Sequence, residues 1–139
     1  MAQSNIQYRW LPGPVGEMLR SSSLATTATV PLSGKLVMTT GHVGVDLQSG
    51  AMVTSSIEAE FSAVLDCLDA ALRDANVGGG LGEAHKLVAY FTRAEDEGTL
   101  LRLFRERWPL ATPTLTSIVV AALVSPGMHL ELQAEAHIP

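Results

Sequence analysis

The chain has a single cysteine, Cys67, in 139 residues. That excludes an internal disulfide and a zinc site built on clustered thiolates, and it suits a reducing compartment. Basic residues are scarce as well: nine Lys and Arg against fourteen Asp and Glu leave a net charge of −5. Such a chain repels a polyphosphate backbone on average, because nucleic-acid affinity rests largely on cationic contacts. Long apolar runs are also missing. The longest, Ser117 to Val124, is far short of the roughly 20 residues a membrane helix needs, and no basic segment leads into an apolar core at the N-terminus. The expectation is a soluble cytoplasmic protein that contacts neither nucleic acid nor membrane.

What the chain does have is apolar content, 47%, enough at this length for one globular domain with a core of its own. Residues 1–23 carry Tyr8, Trp10, two prolines and Ser21-Ser22-Ser23 without a sustained period, which reads as an irregular arm that docks on a neighbouring surface. Residues 24–139 form the domain proper. Ala25–Val30 and Lys35–Gly41 are rich in Thr and Val and flank Pro31-Leu32-Ser33-Gly34, so they read as a strand hairpin. Ser55-Ser56-Ile57-Glu58 is a capping-box pattern that opens a helix. Ile57, Phe61, Val64, Leu65, Leu68 and Leu72 give that helix one apolar stripe, and Asn76 with the following glycines closes it.

His85–Phe91 reads as a strand, and Thr92-Arg93-Ala94-Glu95 as a second capping box. The helix after it buries Leu100, Leu103, Phe104 and the stem of Arg107 and stops at Pro109. Thr116–Val124 and His129–Ile138 are strands around Ser125-Pro126-Gly127. The order is β-β-α-β-α-β-β, an α+β chain with both helices on one face of a single mixed sheet. Val119 to Leu123 would be apolar on both faces of the sheet, so the face without helices needs a cover, which further copies of the chain supply.

The close Val120-Ala121-Ala122-Leu123, then Pro126-Gly127 and Leu130-Glu131-Leu132-Gln133-Ala134, together with Val37-Met38-Thr39-Thr40-Gly41-His42, resembles the Rid (YjgF-like, L-PSP) family of small trimeric enamine and imine deaminases. The resemblance covers roughly residues 25–138. It implies a chorismate-mutase-like Rid fold, a homotrimer around a central barrel and ligand sites between subunits. In the family's deaminases an arginine pairs bidentately with the substrate carboxylate, as a guanidinium fork can and an aliphatic side chain cannot. The matching position here is Leu115, and the family's glutamate near the C-terminus falls at Gln133. A tyrosine of the first strand maps near Thr27 and an asparagine of the second helix near Leu101. Thr40, Gly41 and Ser117 match the expected lining. A leucine in place of the anion clamp implies an uncharged or apolar ligand, since a bound carboxylate would stay buried and unpaired.

His42 follows the lining glycine, and histidine is the side chain suited to general acid-base work near neutral pH, so it and Gln133 are the catalytic candidates. Glu131 and Glu135 share the parity of Gln133 and offer a replacement acid-base group. His85, His129 and His137 share no ligand spacing and read as surface or interface groups, so neither a metal nor another cofactor is expected. Cys67 reads as a small core residue, and Gly78–Gly82 as a flexible connection without the Lys-Ser/Thr of a phosphate loop. Two functions stay open. One is an enzyme with recast chemistry, an imine or enamine hydrolase, isomerase or cyclase in a specialised pathway; the other is a non-catalytic trimer that binds a small molecule or assists a partner enzyme.

Overall fold

The computed structural model describes residues 5–139. In chain order it contains β1 (Gln7–Arg9), α1 (Pro14–Ser21), β2 (Thr27–Thr29), β3 (Lys35–Met38), α2 (Ile57–Asp74), β4 (Lys86–Phe91), α3 (Glu97–Arg107), β5 (Thr114–Val119) and β6 (Leu130–Ile138). Four strands make one mixed sheet in the order β3-β6-β4-β5, with β4 and β5 parallel and the other pairs antiparallel. From β2 onward the order β-β-α-β-α-β-β is the expected one.

The core lies between this sheet and a layer made of α2 and α3. Phe61, Val64, Leu65, Leu68 and Leu72 of α2 and Leu100, Leu103 and Phe104 of α3 meet Leu87, Ala89 and Phe91 of β4 and Leu130, Leu132, Ala134 and Ala136 of β6. The strand residues alternate as a half-covered sheet requires. Cys67 is buried in the same layer, where burial raises its thiol pKa and its Sγ donates to the Val45 carbonyl at 3.2 Å.

Local chemistry departs from the sequence reading at several points. The N-cap of α2 is Ser56, whose Oγ accepts from the Ala59 amide at 3.0 Å. Glu58 does not close a capping box, because with Ser56 as the cap the third helical position is Ala59; Glu58 reaches Arg102 of α3 at 3.1 Å. At the second expected box, Arg93 binds Asp96 through Nε and Nη2 at 3.0 and 2.9 Å, and a 3₁₀ turn over Ala94–Asp96 leads into α3. Asn76 does take the left-handed conformation, φ 71°, that ends α2. The glycine run beyond it is pinned: Asp69 accepts from the Leu81 amide at 2.9 Å, and Arg73 bridges Asp69 and the Gly78 carbonyl.

The hairpin does not form. β2 pairs with β1, and β3 pairs with β6. The turn between β2 and β3 carries the chain from the small sheet to the edge of the large one, held by Nε2 of His137 against the Ser33 carbonyl at 2.5 Å. Gly34 has φ 86°, and a Cβ there would run into the Ile138 backbone.

The arm is not irregular either: it contains β1 and α1, and only its residues 1–4 lie outside the described residues. A three-residue strand and an eight-residue helix are too short to show a period. Trp10 donates through Nε1 to the Leu24 carbonyl at 2.7 Å and carries the Arg20 guanidinium 4.2 Å above its ring. β5 is shorter than expected because β4, the strand it pairs with among the described residues, ends at Phe91 opposite Val119.

Candidate functional site

The sheet face turned away from the helices is open in the single chain. Register places Leu36 and Met38 of β3, Glu131, Gln133 and Glu135 of β6, Lys86, Val88 and Tyr90 of β4, and Thr116 and Ile118 of β5 on that face. Gln133 stands opposite Val88, which stands opposite Thr116. Beyond β3 the chain keeps running beside β6. The Thr39 amide donates to the Ala134 carbonyl and its Oγ1 accepts from the Ala134 amide, while His42 and Leu132 exchange backbone bonds of 2.9 and 3.0 Å. Thr40, Gly41 and His42 are thereby brought next to Glu131 and Gln133. A Cβ at Gly41 would collide with the Glu131 carboxylate, so the glycine is what lets this acid lie flat against the backbone.

Four other expected positions fall elsewhere. Leu115 is opposite Leu87 in register and packs half-buried against the core, on the far side of β5 from Thr116. Ser117, opposite the buried Ala89, shares that parity. Leu101 lies on α3, in the helical layer. Thr27 lines a hollow with Trp10 and Pro12 beside the small sheet. In one chain, then, the Gly41 segment and the β6 carboxylates are united, and Leu115, Ser117 and Leu101 stand apart from them.

The histidines correct the sequence reading. His85 and His137 are buried, not surface groups. At the end of the open face, Nε2 of His85 is 3.4 Å from Oε2 of Glu135, a long contact for a hydrogen bond. Its Nδ1 is buried without a partner. Burial holds the His85 pKa below the ordinary histidine value, against the opposing pull of Glu135. His129 is half-buried, with Nδ1 at 2.8 Å from Oε1 of Glu60. The other Glu60 oxygen accepts from the amides of His129 and Leu130 at 2.7 and 3.3 Å. This buried acid was legible in principle, since position 60 falls on the same helical face as Ile57 and Val64; nothing in sequence announced His85. Among the described residues no three His, Cys, Asp or Glu side chains are grouped to hold a metal, and no helix is long and apolar enough to cross a membrane.

The sequence profile described as endoribonuclease L-PSP matches residues 23–138, everything from the end of α1 through β6. The chain belongs to the Rid (YjgF-like, L-PSP) family. Solved structures of Rid-family proteins share the fold. A Rid protein of unknown function from Yersinia pestis, YyfB, superposes with a TM-score of 0.80 at 19% identity, covering 96% of this chain and 99% of its own. TdcF of E. coli with bound serine gives 0.66 at 21%, covering 95% and 94%. Rv2704 of Mycobacterium tuberculosis, a member of the YjgF/YER057c/UK114 family, gives 0.63 at 19%, covering 96% and 100%. No curated protein matches the chain in sequence.

Proposed function

We propose that this Rid-family protein assembles as a homotrimer and acts on a small uncharged intermediate, an imine, enamine or cyclisation precursor, rather than on 2-imino acids. One observation carries the reading. Gln133 sits between Glu131 and Glu135 on the open face, the four strands of the sheet contain no arginine, and the cation that register puts on that face, Lys86, stands opposite Glu135 rather than Gln133. A substrate carboxylate placed there meets like charge in place of a guanidinium fork, and an unpaired carboxylate taken out of water costs several kcal/mol. TdcF holds serine, which bears a carboxylate; the present face favours a ligand without one.

The groups present suit addition of water to a C=N bond. A carboxylate near neutrality accepts a proton from the attacking water and favours the cationic iminium form of the substrate. Glu131, held against Gly41, and the neighbouring His42 are the candidates for that proton, and Gln133 hydrogen-bonds the substrate or the water. Leu36, Met38, Val88 and Ile118 give the same face an apolar character that suits both an apolar ligand and the packing of further copies.

The test compares ammonia or amine release from an uncharged imine and from freshly generated 2-iminopropanoate. Faster release from the uncharged imine, lost in Glu131→Gln and Gln133→Ala, is the expected result. Release from 2-iminopropanoate alone refutes the reading. Saturable binding of the uncharged imine without turnover replaces the enzyme with the binding or accessory protein.

A further inference from the structure

The glycine-rich connection after α2 forms one wall of a cleft of about 570 Å³, inside the size range of small-molecule sites. Gly79, Gly82 and Glu83 line it from this connection, Tyr8 from β1 of the arm, and Trp108 and Leu110 from the segment that follows α3. No residue of the open sheet face lines it. The two glycines shape the wall. A Cβ at Gly79 would run into the Glu83 carboxylate, and one at Gly82 into the Trp108 indole, so both side chains lie directly on bare backbone.

Charge in the cleft is one-sided. Arg107 also lines it, but its guanidinium is bound to Asp66 at 2.8 Å and covers the Trp108 ring from 4.7 Å. Glu83 and the Tyr8 hydroxyl have no hydrogen-bond or ion-pair partner among the described residues. Neither is sealed off. Glu83 is exposed, and among the described residues the one buried side-chain polar atom without a partner is His85 Nδ1, so the half-buried Tyr8 keeps its hydroxyl open. Burial, and next the charge of Glu83, raise the Tyr8 pKa, so this hydroxyl keeps its proton beside an unanswered carboxylate.

A carboxylate only accepts, and a phenol oxygen accepts as well as donates. What the pair lacks is a cationic donor. The indole of Trp108 and the fully exposed Leu110 offer apolar surface in the same cleft, whereas an anion would meet the Glu83 charge. We infer that this cleft binds a small protonated amine with an apolar or aromatic body, whose ammonium donates to Glu83 and the Tyr8 oxygen while the body lies against Trp108 and Leu110. The site is separate from the open face and goes beyond the proposed function.

Benzylamine, benzyl alcohol and benzoate make a matched set of probes, alike in size and cationic, neutral and anionic at neutral pH. Binding is followed by the indole N–H resonance of Trp108 and the amide resonances of Gly79 and Gly82. Benzylamine should bind about fivefold more tightly than benzyl alcohol, as an accessible ion pair gives, and benzoate more weakly than either. Glu83→Gln, at an exposed position, should bring benzylamine to the level of the alcohol and leave the alcohol unchanged, a split that a merely structural role would not produce. Equal affinity for amine and alcohol in the unaltered protein, a preference that survives Glu83→Gln, or no movement of the three resonances overturns the inference. No turnover is measured, so the imine assay decides the proposed function separately.

Discussion

Glu60 and His85 show what one buried titratable side chain does to its surroundings. Glu60 accepts from two backbone amides and faces the His129 ring. Truncating it strands those donors at the start of β6. Glu60→Ala is expected to cost about 3 kcal/mol in urea denaturation, and Glu60→Gln distinctly less, because one acceptor oxygen remains. Equal losses in the two variants would mean that volume rather than hydrogen bonding is what position 60 supplies. His85 acts through linkage. Its folded pKa lies below the unfolded value, so as pH falls below about 6.5 the unfolded chain takes up a proton that the folded one refuses. Stability therefore falls as pH is lowered through that window and levels off below the folded pKa. His85→Asn should flatten the profile of unfolding free energy against pH between neutrality and mild acid; an unchanged slope would assign it to other groups.

At the scale of elements, the arm is held by a few side-chain contacts. Among the described residues β1 and β2 pair with each other, over three residues each. Trp10 Nε1 on Leu24 and Arg20 on the indole face hold the segment to itself, and Arg105 of α3 on the Ser21 carbonyl with the Ala25 amide on the Pro113 carbonyl tie it to the rest of the chain. Trp10→Ala removes the first two together. Amides of residues 7–29 should then exchange faster with solvent while those of α2 and β6 keep their protection. Loss of protection throughout the domain would show that the arm is part of the folding core. The two capping boxes belong to this scale as well. In the first, a longer-range partner, Arg102, takes the Glu58 side chain; in the second, the local Arg93–Asp96 pair and a 3₁₀ turn stand where the box would be, and α3 starts only at Glu97.

For the whole molecule, the uncovered sheet face is the dominant feature. Ile118 is 40% exposed and Met38 67% on a face whose other side packs β4 and β6 against the helices. If further copies cover it, sedimentation should give the mass of three chains, and Ile118→Asp should yield monomers with an unchanged far-ultraviolet spectrum. A wild-type monomer would sink the trimer and, with it, the proposal that the site is completed between subunits. The apolar stripe of α2, the closing Asn76, the stripe of α3 and the alternation of β6 were all readable before folding. Each is a periodic or single-residue property. The side on which Leu115 and Ser117 fall was not readable, because it depends on the register of β5 against β4.

Periodicity and local propensity by themselves determined an α+β chain, its two core helices and its main strands, and the resemblance of its motifs determined the family. The elements follow from local propensity and from apolar residues repeating at helical or strand spacing. Tertiary structure alone decided that β2 turns to the arm instead of to β3, that Glu60 and His85 are buried, and that Gly41 lies on Glu131. Those depend on which distant segments share an edge or a cavity, and pairings across 69 or 104 positions, such as Glu60 with His129 or Ser33 with His137, leave no periodic trace in the chain.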